Sequence, residues 1–306
     1  MTHTPKVSIV TRTKNRNILL GRALKSVDDQ SFDDYEHIIL NDGGDIDEVE
    51  TLLKQYPNKR RRIIHNKKSV GLVPALNQAI RASSGTYIAI LDDDDVFDKD
   101  RILLSVEVLG KGAVATVSPM DVVIEKIEDG KVVELSRHQH PESGVEVSLY
   151  HQCHRNYLTN SVITYTREIY DLLGGYDESL ETAEDWDFGI RLMREVDVVR
   201  IASEKPLVFY HQRPSDMTQT GNSVHAGVRE QERTINIIRN KYLRNDLKAG
   251  ALGVGYIMNN VENGVENIVR IEGHINRSVP IIASEVKNEI DSLFLLSKIK
   301  KRMNLK

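Results

Sequence analysis

From Val7 to Asp95 the chain alternates between two hydrophobic patterns. Short, continuous apolar runs (Val7 to Thr11, Glu36 to Leu40, Arg61 to His65 and Tyr87 to Leu91) predict buried strands. Between them, apolar residues recur at helical spacing. Leu20, Leu24 and Val27 stripe the first helix, with Asn17 as its expected cap; Val49, Leu52, Leu53 and Tyr56 stripe the second. Asp45 followed by Glu48 reads as a capping box for the second helix, and Pro57-Asn58 ends it. Val73, Leu76 and Ile80 line the third helix, with Pro74 in its first turn, where proline is tolerated. This β-α-β-α-β-α-β order predicts an α/β fold: a Rossmann-like, mostly parallel sheet flanked by helices. It also places three polar loops at strand C-terminal ends, Arg12 to Asn17, Asn41 to Gly44 and Asp92 to Asp95. In open α/β sheets ligands bind at that edge.

The pattern changes after Asp95. A helix is expected over Arg101 to Leu109, a strand over Ala113 to Ser118, and a hairpin over Val122 to Leu135 turning at Glu128-Asp129-Gly130-Lys131. Arg137 to Glu142 reads as a polar, mobile loop, and Tyr157 to Tyr165 as another strand. Glu184-Asp185-Trp186-Asp187 opens a helix with Phe188, Ile190, Leu192 and Met193 on its apolar face. Carboxylates in a first helical turn are also what the macrodipole favours. Two regions are expected, residues 1–221 as the main domain and 222–306 as a C-terminal helical appendage. In the appendage Ile235, Ile238 and Tyr242 suit one helix, Val254 to Ile275 has heptad-like spacing, and Ile282 to Met303 stripes a last amphipathic helix ending in Lys298, Lys300, Lys301, Arg302 and Lys306. Packing, homo-oligomerisation and peripheral contact with an anionic membrane are the readings of this region.

Composition narrows the setting. The 306 residues are 40% hydrophobic and 28% charged, an ordinary globular balance, and the net charge of −4 gives no basic character that would point to nucleic acid. Cys153 is the only cysteine, which excludes an intrachain disulfide and fits a reducing compartment. The first six residues lack the apolar core of a signal peptide, and no apolar run reaches the length of a bilayer span. The expected location is cytoplasmic, with contact at the inner membrane face at most.

The chemistry concentrates at Asp92-Asp93-Asp94-Asp95. Four adjacent carboxylates at a strand end repel one another unless a cation or a ring of donors sits among them. Mg2+ or Mn2+ would bind such oxygens and bridge to a phosphate. No G-x-G-x-x-G follows the first strand and no P-loop occurs, so phosphate charge has to be met by metal and basic side chains.

Taken together, Val7-Ser8-Ile9-Val10-Thr11-Arg12-Thr13-Lys14-Asn15-Arg16, Leu40-Asn41-Asp42-Gly43-Gly44, the run Gly71 to Asp95, Leu173-Gly174-Gly175-Tyr176-Asp177 and Glu184-Asp185-Trp186-Asp187-Phe188 resemble the family 2 glycosyltransferases of GT-A fold. The resemblance covers roughly residues 6 to 220 and is specific for the family, not for the sugar. It implies a metal-dependent, inverting transfer from a nucleotide-sugar donor, most simply a UDP-sugar, to a saccharide or lipid-linked acceptor in cell-surface polysaccharide or glycoconjugate synthesis. Thr13 and Arg16 would border the nucleotide and Asp42 would bond the nucleobase. Asp94 would be the metal ligand, and Asp92 or Asp93 would contact the ribose or complete the metal site. Asp185 matches the catalytic base. Glu184, Trp186, His211 and Arg213 are candidate diphosphate or acceptor contacts.

The chain departs from the family pattern in three places. Arg12 and Lys14 replace a proline and an aromatic, Leu76 replaces an arginine, and Tyr210-His211-Gln212-Arg213 exchanges the usual order of arginine and histidine. His138, His140, His151, Cys153 and His154 match no closed zinc spacing and are read as acceptor-side loop or surface. A sugar nucleotidyltransferase and a non-catalytic nucleotide-sugar binding or scaffold protein are the alternative readings.

Overall fold

The computed structural model describes residues 3–258 apart from 145, 215, 217, 219 and 223–227. The expected alternation is present: β1 (Val7–Thr13), α1 (Asn17–Asp28), β2 (Tyr35–Asp42), α2 (Ile46–Gln55), β3 (Arg61–Asn66), α3 (Leu72–Ala82) and β4 (Tyr87–Ile90). There follow β5 (Val96–Phe97), α4 (Arg101–Leu109), β6 (Ala115–Val117), β7 (Met120–Glu128), β8 (Lys131–Gln139), α5 (Leu149–His154), β9 (Ile163–Thr166), α6 (Arg167–Leu173), α7 (Glu184–Glu195), β10 (Val198–Arg200), β11 (Val208–Gln212) and α8 (Val228–Ala249).

The main sheet has the order β10-β6-β9-β4-β1-β2-β3. All neighbours are parallel except β9, which runs antiparallel to β4 and β6. A second sheet, β5-β11-β7-β8, stands apart from it. The alternation of side chains along β2 shows how the main sheet is covered: Ile38 and Leu40 join the large core with Val27, Val73 and Ile80, while Ile39 packs with Leu20, Leu24 and Val49. Because β1 lies between β2 and β4, the loops after Thr13, Asp42 and Leu91 come to one edge, as the sequence pattern implies.

Four local expectations need correction. Arg137 to Gln139 is not loop: β8 continues through it, because Arg137 and His138 pair with Val123 and Val122 of β7. That strand is held by backbone bonds while most of its side chains are exposed, so its far end carries no hydrophobic signal. Tyr157 to Tyr165 is not one strand: a 3-10 turn over Asn160–Val162 precedes the four-residue β9. Asn17 does not cap α1: Arg16 holds the cap position without a side-chain bond, and Asn17 Nδ2 reaches Glu48 instead, at 3.0 Å. The capping box is therefore half made, with Asp45 accepting from Glu48 N at 2.9 Å while the Glu48 carboxylate is used by Asn17.

The chain divides into two compact units, Met1–Tyr242 and Leu243–Lys306. In the first, Lys241 Nζ reaches Asp177 and Asp187 at 2.8 and 2.9 Å, and Tyr242 Oη reaches Asp187 at 3.2 Å, which fixes this part of α8 to α7. In the second, Asp246 accepts from Gly253 N and Tyr256 N. The heptad-like segment beyond Met258 and the last amphipathic helix lie outside the described residues. No helix among the described residues is long and apolar enough to cross a membrane.

Candidate active site

A cavity of about 670 Å³ opens at the C-terminal edge of the main sheet. Several parts of the chain line it. The ends of β1 and β4 bring Arg12, Arg16 and Asp92 to Asp95; α7 brings Glu184, Asp185 and Trp186; the α5 end and following loop bring His154 to Asn156; and α8 brings Ile235 and Arg239.

The first carboxylate group is held by guanidinium ions. Arg16 donates from Nη1 to Asp93 Oδ1 at 2.8 Å and from Nη2 to Asp94 Oδ2 at 2.6 Å. Thr13 Oγ1 donates to Asp93 Oδ2 at 2.7 Å. Behind Asp94 lies Arg213, whose side chain is fully buried and donates to both Asp94 and Glu125. Arg22 closes the network from the other side with two bonds to Glu125, at 2.5 and 2.7 Å, and one to the Asp94 carbonyl at 2.6 Å. Burial opposes the Asp94 charge, but Arg16 and Arg213 outweigh it and hold the carboxyl below its ordinary value. Among the described residues Asp92 receives no guanidinium bond, and Ser161 Oγ approaches it at 3.4 Å. Burial, then the Asp94 charge, push Asp92 up to about 7, with Arg12 pulling partly back. Asp95 is buried, accepts from His211 N at 3.1 Å, and is pushed well up by burial and its acidic neighbours.

The second carboxylate group is held by neutral amides. Asn160 Nδ2 donates to Glu184 Oε1 at 3.0 Å, and Tyr176 Oη donates to Asn160 Oδ1 at 3.1 Å, which sets the direction of that amide. Asp185 accepts from the Trp186 backbone N–H at 2.8 Å, and the Asn156 side chain and that N–H both pull its proton affinity partly back. Amide donors cancel less of the burial penalty than a full positive charge would. Burial, then the Asp185 charge, raise Glu184 to about 7; burial, then the Asp92 charge, raise Asp185 to about 6. A carboxylate with that proton affinity can accept a proton near neutral pH.

The structure brings most of the expected residues together and places four of them off the cavity. Arg16, Asp92, Asp93, Asp94, Glu184, Asp185 and Trp186 all line the cavity. Thr13 does not line it and acts through Asp93. Asp42 is also off the lining: its carboxylate accepts from Asn66, Ser69 Oγ, Val70 N and Gly71 N, at 2.6 to 3.2 Å. Those bonds require the Gly43 turn, where φ is +74° and a Cβ would collide with Ser69 N. Arg213 and His211 stand behind the Asp cluster, not on the cavity surface. Burial and Arg22 push His211 down to about 4, so it is neutral near pH 7. Of the histidine cluster, His154 reaches the cavity.

Sequence reasoning missed Arg22, Glu125, Asn156, Asn160, Asn222 and Arg239. Glu125 shares the buried face of β7 with Val123, two residues before it, opposite the point where β8 skips Leu135 in the pairing, and nothing in the local pattern marks it. Asn222 Nδ2 donates to Asp94 Oδ2 at 3.2 Å from the far end of the domain. Arg239 lies over the Trp186 ring at 6.0 Å.

The donor set suits a divalent cation in one particular way. No group of three His, Cys, Asp or Glu side chains among the described residues forms a closed metal site. Mg2+, however, is commonly held by one or two carboxylates with substrate phosphate completing its shell. Asp92 and Asp94 offer two such groups, and the raised Asp92, Glu184 and Asp185 mark negative charge that nearby cations leave unmet.

The open α/β sheet with clustered carboxylates at its C-terminal edge is of GT-A type, as in the glycosyltransferases of known structure that it resembles. The model of glycosyl transferase family 2 matches residues 8–165, and the chain belongs to that family, which sets nucleotidyl transfer aside. It is 30% identical over 198 residues to WcaA of Escherichia coli K12, named as a colanic acid biosynthesis glycosyl transferase, covering 64% of this chain and 68% of the relative. It is 27% identical over 194 residues to a chondroitin synthase of Escherichia coli, covering 61% of this chain and 26% of that longer protein. Among solved structures, it resembles the Pyrobaculum calidifontis mannosyltransferase PcManGT in complex with GDP-Man and Mn2+ (TM-score 0.56, 16% identity, 88% of this chain and 76% of that one). It also resembles S. aureus TarS in complex with UDP-GlcNAc (TM-score 0.52, 18% identity, 69% of this chain), spanning 60% of that chain. At those identities the structural likeness concerns the fold.

Proposed function

We propose that this glycosyltransferase moves a sugar from a UDP-sugar to a saccharide or lipid-linked acceptor, with inversion, in polysaccharide or glycoconjugate synthesis. The observation that carries the reading is that Asp185 and the Asp92 to Asp94 cluster border one cavity. Asp185 takes the proton from an acceptor hydroxyl as that oxygen attacks the anomeric carbon. The bond from that carbon to the diphosphate oxygen breaks, and the nucleoside diphosphate departs. A divalent ion held by Asp94 and Asp92 would supply positive charge to the leaving diphosphate. Arg16 holds Asp93 and Asp94 in place and, with Arg213, keeps Asp94 ionised. Arg12, on the cavity wall near Asp92, adds cationic charge on the donor side. Trp186 borders the acceptor side, with its indole N–H fixed on Gln152 O at 2.6 Å.

The relatives' names support a polysaccharide setting, and the TarS complex supports a uridine donor. The catalytic unit is proposed to run through Tyr242, past the 1–221 boundary expected from sequence, since Ile235 and Arg239 line the cavity. A role for the C-terminal segment in self-association or inner-membrane contact is a further part of the proposal. The test is a panel of nucleotide sugars with Mn2+ or Mg2+, read as released nucleoside diphosphate. Release of UDP from one UDP-sugar is expected; absence of release from every donor, with acceptor extracts present, would refute it.

A further inference from the structure

We propose that Glu184 holds a hydroxyl of the transferred sugar, and that Asn160 is the positioning residue that aims it, at the end of a one-way hydrogen-bond chain from Tyr165 and Tyr176. This rests on the reading of the cavity as the site of a UDP-sugar. The direction of the chain is set at its deep end. Tyr165 Oη lies 3.2 Å from Tyr176 Oη and makes no other hydrogen bond among the described residues, so its hydrogen goes to Tyr176. Tyr176 then donates its own hydrogen to Asn160 Oδ1, at 3.1 Å. That turns the Asn160 NH2 group to Glu184 Oε1, at 3.0 Å. Reversing the amide would set Asn160 Oδ1 against a carboxylate oxygen and leave the Tyr176 hydrogen without an acceptor.

The surroundings keep this chain rigid. Tyr165, Tyr176, Asn160 and Glu184 are all buried. The Tyr176 ring stacks on Phe188 with centroids 4.3 Å apart. Asn77 clamps the Tyr176 backbone, accepting from its N–H at 3.0 Å and donating to its carbonyl at 2.9 Å. Placement then gives Glu184 its task. Asn160 and Ser161 are neighbours in one 3-10 turn. Asn160 holds Glu184, while Ser161 Oγ accepts from Asp92 N at 3.2 Å. Glu184 is thus joined to the end of β4 through that turn and to Asp185 as its chain neighbour, and all three residues line the cavity. The transferred sugar has to lie between the diphosphate at the Asp92 to Asp94 cluster and the acceptor oxygen at Asp185. Glu184 is the carboxylate tied to both, and its one side-chain partner among the described residues is a neutral amide. A carboxylate held that way suits a sugar hydroxyl, a neutral donor.

The test uses Tyr176→Phe, which deletes the hydroxyl and keeps the stacked ring, and Asn160→Ala, which deletes the amide. Each is made in the full chain, alone and combined with Glu184→Ala. UDP-glucose, UDP-galactose, UDP-N-acetylglucosamine and UDP itself are titrated by calorimetry with Mn2+ present. For the UDP-sugar that the parent binds best, we expect Kd to rise roughly tenfold in Glu184→Ala and Asn160→Ala and about threefold in Tyr176→Phe. The Kd for UDP should stay unchanged in all of them, which also reports that they fold. In the Glu184→Ala background neither further change should add to the loss, since the group being aimed is gone. Parent-like affinity of Glu184→Ala for the UDP-sugar would overturn the proposal, as would equal weakening of UDP and UDP-sugar in Tyr176→Phe. An undiminished cost of Asn160→Ala in the Glu184→Ala background would overturn the positioning role. If the parent binds no UDP-sugar, the donor reading fails and this proposal with it; if the parent binds one and Glu184→Ala binds it equally well, the donor reading stands alone.

Discussion

Two carboxylate groups border the cavity and are held in opposite ways. Asp93 and Asp94 take guanidinium bonds from Arg16, and Asp94 a second from Arg213. Glu184 takes a bond from the neutral amide of Asn160, and Asp185 one from the backbone amide of Trp186. Full charges keep Asp94 ionised, which suits a group that must bind. Amides hold geometry and leave Asp185 near 6, which suits a group that must exchange a proton. The same residue type is given two jobs by the charge of its partner.

The comparison breaks most severely at Arg213. Arg213→Met removes a buried cation that answers both Asp94 and Glu125. We expect a loss of about 3–5 kcal/mol in unfolding free energy, together with weaker nucleotide binding, read by urea denaturation and calorimetry. A change below about 1 kcal/mol would mean that Arg16 and Arg22 alone satisfy the pair.

The next effect concerns pH and metal. Asp92, Glu184 and Asp185 are all raised above their ordinary values. Between the ordinary carboxylate range and about 7, the folded chain therefore binds more protons than the unfolded one, so the contribution of these groups to stability falls as pH rises through that window. A divalent ion needs the deprotonated groups and should relieve this. Saturating Mn2+ should raise Tm by about 5 °C at pH 8 and much less at pH 5. Equal shifts at both pH values would show that the ion binds elsewhere. Transfer should likewise decline as pH drops through about 6, where Asp185 becomes protonated.

A smaller effect sharpens the acceptor side. Lys241→Met removes the cation that Asp177 and Asp187 share and loosens α8, which carries Ile235 and Arg239 to the cavity. Because Arg191 still pairs with Asp187, the cost should be about 1 kcal/mol, with the acceptor KM raised more than the donor KM. A donor effect alone would argue against α8 bordering the acceptor.

The parallel sheet edge was legible because its strands are contiguous apolar runs whose ends carry the polar loops. Asp92 to Asp95 could be picked out for the same reason, standing where an apolar stretch ends, whereas Asp185 stood out only through the family resemblance of its motif. Their partners could not be picked out. Arg213 meets Asp94 across 119 positions, and Glu125 is a lone carboxylate on the buried face of β7 that meets Arg213 across 88. Asp42 shows the converse: its motif was clear, yet four donors within its own corner claim the carboxylate.

The most direct test of the division between binding and proton transfer is Asp185→Asn, with nucleotide affinity and transfer measured on the same protein. The account predicts an unchanged Kd for nucleotide in the presence of Mn2+ and a loss of transfer of about a hundredfold or more. Transfer near the parent rate, or loss of nucleotide binding along with it, would contradict it.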